Sequence, residues 1–319
     1  MEVTITTHKV NQLIEPHLQI WGWEVAIYLF LGGLVAGILV LSSISWLMKK
    51  EENWPTLAYK LPLWGPILLS IGMFCLFLDL EHKWYVWRFY TAFHITSPMS
   101  WGAWILLLVY PVNILLILGT LKKGYPKISK GLENLLGEET WKDLTSWSEK
   151  RMVSFSKFGL PIGIALGIYT GILLSAFGAR PFWNSAVLGP IFLASGISTA
   201  LAFALLIAKK EEERKFCSQA DIFTILVELL LIFLLIITLI SSTQTYQDAS
   251  KLILGGPLTL PFWIAVIFIG LLLPLFIEVL EWKGYPAPIV VASWLILLGG
   301  LYFRYVILQA GQLSSWIPY

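Results

Sequence analysis

Most of this sequence is too apolar to do chemistry, so the few side chains that could do some stand out. WGWEVAIYLFLGGLVAG opens a long apolar run with Glu24, and FLDLEHKW closes another with Asp79, Glu81 and His82. FHITSPMSWGAW places His94 and Ser97 before a third run. GIYTGILLSAFGARPFW carries Tyr169 with Arg180 beyond it, and GGLYFRYVILQAGQ carries Arg304 and Gln309. An ionisable group at the depth of the hydrocarbon core is expensive and marks a functional site by default. Followed along their helices, all these groups fall toward one surface, so polar side chains from five segments converge at one depth. Carboxylates, a phenol and imidazoles together supply donors, acceptors and a proton acceptor. Those are the parts needed to hold a two-electron organic carrier by its oxygens and to take its protons.

Each of these residues also has a plainer reading. Glu81, His82 and Arg180 sit at helix ends, where they are wetted by solvent, and His94 lies in or beside a loop. Arg304 either snorkels toward the interface or forms a structural ion pair with Asp79 or Glu24. The candidate catalytic groups are Glu24, Asp79 and Tyr169. Glu24, Tyr169, His82, His94 and Arg304 are the candidate binding groups. On the opposite half, Glu228 lies two turns inside DIFTILVELLLIF, with Asn113 and Glu278 the other polar groups there. Glu228 reads either as the inner stage of a proton path or as a protonated acid bonded to a neighbouring helix. Gly32, Gly33 and Gly37 fit close helix packing rather than chemistry.

A b-type haem between helices needs axial ligands inside the spans, usually two His. Of the four His, His8 and His17 precede the first run, and His82 and His94 bracket a loop. None stands at mid-membrane, so no haem is expected. Cys75 falls in an apolar run and Cys217 in a charged loop, so no metal or disulfide framework is expected either. A redox membrane protein of this kind passes electrons through a lipid-soluble carrier and an external partner. A quinone or quinol, menaquinone or ubiquinone, suits that role. The competing class is a secondary transporter of a small solute, which typically places charge and broken helices at the midplane. Here the midplane reads as nearly empty of charge.

The elements that must position these groups are membrane spans. Hydrophobic residues make up 57% and charged residues 13%, about half the charge of a soluble domain. A span needs about 20 apolar residues, and eight runs qualify: 23–47, 62–80, 100–120, 158–177, 185–208, 222–241, 261–281 and 287–308. The fold class is therefore an all-α integral membrane protein of about eight transmembrane helices, one membrane domain over 1–319. No signal peptide is expected, because the first run is too long and no basic stretch precedes it. Sixteen Lys and Arg lie on the side reached after odd-numbered spans, against Lys9, Lys83, Arg88, Arg180 and Lys251 on the other. That bias puts the basic side in the cytoplasm and both termini outside. The long loop 121–157 spaces Leu132, Leu135, Leu136, Trp141, Leu144 and Trp147 near helical periodicity, which fits an amphipathic helix lying on the inner surface. KKGYPK after the third run and WKGYPA after the seventh hint at a duplication into two four-helix bundles.

Six stretches in order resemble one known group, the polysulfide reductase membrane-subunit family, NrfD/PsrC-like. They are WGWEVAIYLFLGGLVAG, LDLEHKW with SPMSWGAW, GIYTGILLSAFGARPFWNS with IFLASGIS, the Asp and VELL of the sixth run, GLLLPLFIE, and LLGGLYFRYVILQAGQ. The resemblance implies a haem-free, quinone-interacting subunit in the cytoplasmic (inner) membrane. It implies a ferredoxin-like iron–sulfur partner on the outer face and, through it, a molybdopterin-type catalytic subunit. It also implies a quinone pocket built from a polar residue at the start of the first span and a Tyr in the fourth, positions matching Glu24 and Tyr169. The expected function is an anchor subunit that oxidises quinol and passes electrons to that partner, with proton movement through Glu228 as a further expectation.

Overall fold

The computed structural model describes residues 21–314, so His8, Lys9 and His17 lie outside the described residues. Its main helices are α1 Trp23–Leu47, α2 Thr56–Asp79, α3 Pro98–Gly124, α4 Pro126–Leu136, α5 Glu138–Glu149, α6 Met152–Ser175, α7 Leu188–Ile207, α8 Glu211–Ser241, α9 Gln244–Lys251, α10 Pro261–Trp282 and α11 Ile289–Leu313, with two short helical turns, Lys83–Tyr85 and Arg88–Thr91, between α2 and α3. Eight of the main helices, all but α4, α5 and α9, are long and apolar enough to cross a membrane. Helices are the natural answer to lipid, because each satisfies its own backbone polar groups. Pro98, Pro126 and Pro261 open their helices, where the missing N–H costs nothing.

The apolar runs and the helices differ at their ends. The sixth run begins at 222, but α8 begins eleven residues earlier, at Glu211, and α6 begins at Met152 rather than 158. Hydropathy locates the hydrocarbon, whereas a helix continues into the headgroups as long as its hydrogen bonds are met. The segment 121–157 is also more divided than its periodicity suggests. It folds as two helices, α4 and α5, broken at Gly137, whose φ of +89° suits glycine. Trp141 Nε1 donates to Ser129 Oγ across the pair at 3.0 Å, and Ser148 Oγ ties α5 to the Leu115 carbonyl at 2.6 Å. Leu135 and Leu136 stay exposed.

The spans form two rings of four. In the first, α1, α2, α3 and α6 contact one another in cyclic order; in the second, α7, α8, α10 and α11 do the same. The rings join through α1 against α7 and α11, and α6 against α7. KKGYPK and WKGYPA thus follow the third helix of each ring. At the centre, 89% of the α1 core window is buried against 28% of that in α8, which separates a hub from a peripheral helix. The hub contact is backbone on backbone. A Cβ on Gly196 of α7 would strike the Gly33 carbonyl, and one on Gly37 would strike the Gly196 carbonyl. The small-residue spacing in the first run is therefore a packing device.

Both ends of the molecule are stapled. At the basic end, the Thr56 and Leu57 N–H groups donate to Glu213 Oε1 at 2.7 and 2.9 Å, so a carboxylate of α8 caps the N-terminus of α2. Trp54 stacks on Phe216 beside it. At the other end, Gln312 exchanges two hydrogen bonds with the Trp21 backbone, both 2.9 Å, and Arg180 Nη1 donates to the Gln312 and Ser314 carbonyls.

A Gly196→Val substitution forces α1 and α7 apart. It is expected to cost about 1–3 kcal/mol, seen as a lower unfolding midpoint in detergent, while Gly131→Val, which meets nothing within 4 Å, leaves the midpoint in place. Equal midpoints for the two would refute the hub contact.

Candidate functional site

A cavity of about 920 Å³, counting its open mouth, lies inside the first ring near the end where α1 begins. Val25, Tyr28 and Leu29 of α1, Met73 and Leu76 of α2, Ala103 and Leu106 of α3, and Leu173 and Leu174 of α6 make its walls mostly apolar. The polar groups are few and convergent. Asp79 comes from the end of α2, Tyr28 from α1, Tyr169 from α6 and Tyr90 from the short helix Arg88–Thr91 between α2 and α3. Phe89 and Met99 also line it and are themselves exposed, so the cavity opens to the outside of the bundle there.

Tyr28 and Tyr169 are both buried, and their hydroxyls come within hydrogen-bonding reach of each other. The Tyr169 ring lies flush against Gly102 of α3, so that a Cβ there would overlap its outer edge. Glycine at 102 is what lets the ring reach across to α1. Tyr90 lies near enough to both phenols to interact electrostatically. Burial, with Tyr110 as a second contribution, raises its own pKa above the ordinary phenol value, so it stays a protonated donor at neutral pH. Asp79 is half-buried, and Glu24 is close enough to act on it electrostatically without lining the cavity.

Above this cavity sits a second, wetter one of about 1010 Å³, sharing Leu80, Phe89 and Met99 with the first. Glu81, His82, Arg88, His94 and Ser97 line it. The loop that carries them is held by the His94 N–H donating to Ser100 Oγ, which in turn donates to the Ala92 carbonyl. His82 and His94 are therefore brought together, one layer outside Tyr169 and Asp79.

Arg304 is not brought to this site. It is 2% exposed and lies between the rings, its Nη2 donating to the Phe192 carbonyl at 2.9 Å and its guanidinium 4.0 Å above the Phe192 ring. Its electrostatic partner is Glu228, neither Asp79 nor Glu24, and it does not snorkel. The second ring buries Asp221 as well as the expected Glu228 and Glu278. Residues not anticipated as part of the site are Tyr28, Tyr90 and Gly102. Tyr28 alone has a visible signal, one turn below Glu24 on the same helix.

An eight-span helical membrane protein with an apolar cavity under one face, and phenols and a carboxylate in its wall, is the class this geometry defines. The family model described as Polysulphide reductase, NrfD, matches residues 10–315, and the chain belongs to that family. A polysulfide reductase subunit of Wolinella succinogenes is 31% identical over 92% of this chain and 94% of its own length. Protein NrfD of Escherichia coli is 28% identical, over 92% of this chain and 96% of its own.

Gly102→Ala is expected to cost about 1–3 kcal/mol through overpacking against the Tyr169 ring. In a Tyr169→Ala background most of that cost should vanish, a coupling of at least ~0.5 kcal/mol in a double-mutant cycle. Additive costs would show that the ring is not seated on Gly102.

Proposed function

We propose that this chain is the quinol-oxidising membrane subunit of a respiratory oxidoreductase, passing electrons to an iron–sulfur partner outside the cytoplasmic membrane. The observation that carries the reading is the first-ring cavity. Apolar walls suit a lipid-soluble head group, and its polar groups gather at the end nearest the surface. Membership of the polysulfide reductase family supports it, as does the name of the Wolinella relative. The excess of Lys and Arg on the opposite side supports an orientation with the cavity facing outward.

In this reading a quinol, menaquinol or ubiquinol, lies with one hydroxyl against Tyr169, which Tyr28 holds in place. The other points toward Asp79. Oxidation releases two electrons and two protons. Asp79 accepts a proton as it leaves, with Glu24 making that end of the site negative. The vestibule of Glu81, His82 and His94 gives the protons a wet route to the outer surface. The electrons pass to an iron–sulfur cluster in a ferredoxin-like subunit docked over the same face, and from there to a molybdopterin-type or other catalytic subunit.

Tyr169→Phe removes one neutral hydrogen bond, worth about 0.5–1.5 kcal/mol, so quinol turnover by the assembled complex should fall roughly two- to tenfold. Asp79→Asn removes the proton acceptor and should lower it by about 10²–10⁴, with assembly intact by gel filtration. Unchanged turnover in both variants would overturn the site. A b-type absorbance band from the purified chain would overturn the haem-free reading.

A further inference from the structure

The two rings differ at the basic end, where each carries the same short turn after its third helix. In the first ring KKGYPK is bonded into the bundle. Lys123 Nζ donates to Glu52 Oε1 and to Tyr59 Oη, both at 3.2 Å. Tyr125 Oη accepts from Trp64 Nε1 at 3.0 Å and donates to the Lys60 carbonyl at 3.4 Å. Gly124 lies against the Tyr59 carbonyl, and α4 follows at Pro126. In the second ring WKGYPA leads straight into α11, and its Trp282 and Tyr285 are 62% and 61% exposed. Both line a surface vestibule of about 1580 Å³, counting its open mouth, between the ends of α8 and α10.

Cations outnumber carboxylates in the wall of this vestibule. Lys209, Arg214 and Lys215 face Glu211 and Glu281. Both carboxylates are engaged by Lys215: Glu211 pairs with it at 2.8 Å, and Glu281 acts on it electrostatically. Arg214 adds a smaller attraction to Glu211. The Lys215–Glu211 contact is the one ion pair among the described residues that falls in the vestibule. Lys210 turns away, its Nζ donating to the Glu52 carbonyl on the first ring's side. Lys209 and Arg214 therefore stand outside any ion pair, at the mouth of a concave surface. Deeper in the bilayer, the face of α8 that carries Lys215 and Gln219 continues at helical spacing through Leu226, Leu230 and Phe233, all exposed. A ligand seated here meets cations and two interfacial aromatic rings at one level and bare apolar surface at the next. A free inorganic anion would use only the upper level, whereas an anionic lipid uses both. Basic pockets between spans at this boundary suit lipid head groups.

We infer that the vestibule binds one anionic phospholipid from the leaflet at the basic end, with its phosphate held by Lys209 and Arg214 and its acyl chains laid along Leu226, Leu230 and Phe233. Trp282 and Tyr285 flank the head group. In the first ring the corresponding turn engages its own Lys and Tyr with the bundle. The binding makes and breaks no covalent bond. It needs no quinone, so it stands apart from the quinol reading.

Thermal unfolding of the full chain in detergent, titrated with phosphatidylglycerol, phosphatidylcholine or inorganic phosphate, tests the site. Phosphatidylglycerol should raise the midpoint saturably, and the other two should not. Lys209→Gln/Arg214→Gln should weaken the apparent affinity for phosphatidylglycerol roughly 30-fold, about fivefold for each cation near an anionic lipid surface. Lys130→Gln/Lys142→Gln removes the same charge from exposed positions on α4 and α5 and should leave the affinity nearly unchanged. Native mass spectrometry of the unsubstituted chain should show one phosphatidylglycerol retained after phosphatidylcholine is stripped, a readout that does not depend on any variant folding. No retained lipid, or equal weakening in the two double variants, overturns the site. Equal stabilisation by phosphatidylcholine overturns the role of the cations, and equal stabilisation by inorganic phosphate overturns the lipid in favour of a small anion. Quinol turnover does not enter the readout, so failure here is distinct from failure of the quinol reading.

Discussion

The contact of Gly33 with Gly196 is the constraint on which the rest of the molecule depends. Lipid offers helices no hydrophobic reason to associate, so they hold together by close packing and by hydrogen bonds. Here two backbones touch at the centre, with Gly37 against the same residue of α7. That approach makes α1 a member of the first ring and a wall of the second. Its upper turns line the cavity through Val25, Tyr28 and Leu29, while Gly33 lies against the Arg304 guanidinium. The two polar regions are thus separated by little more than one turn and a half of one helix.

The two rings share an arrangement and differ in what they enclose. The first holds a cavity open to its surroundings. The second is close-packed, with α10 and α11 meeting at Gly270 and Gly299, and a water-sized void lies beside Glu228. Glycine works in opposite senses in the two. At 102 it lets a large aromatic ring cross the bundle and shape a cavity, whereas at 270 and 299 it removes the space altogether. The phenols and carboxylate of the first ring therefore border open space, whereas Glu228 of the second lies beside Arg304.

How much of this is legible in the sequence varies with the kind of signal. The spans are plain, because some 20 apolar residues in a row leave little choice of structure. Asp79 and Tyr169 stand out by type and depth, and they do share a cavity. Glu24 does not line the cavity, since its carboxyl turns back toward Gly22. Depth along a helix says nothing about which neighbour Arg304 faces, so Asp79 and Glu24 are as plausible on paper as Glu228; only the packing of α11 on α7 and α1 settles that. Asp221 is hidden for another reason: it sits at the edge of the apolar run, where a carboxylate reads as solvated. The helix in fact begins ten residues earlier, which draws that position into the interior. Gly102 has no signal of its own, since its role exists only in relation to a ring from another helix.

The cap that Glu213 places on α2 makes that helix a lever with its fulcrum in the other half of the protein. Its 24 residues span ~36 Å, with the hinge held by two charge-assisted hydrogen bonds and the free tip carrying Asp79. A tilt of only ~3° about that hinge moves the tip by ~2 Å over such a length, comparable to the difference between a made and a broken hydrogen bond. The position of a carboxylate at one surface is thereby geared to the seating of α8 at the other.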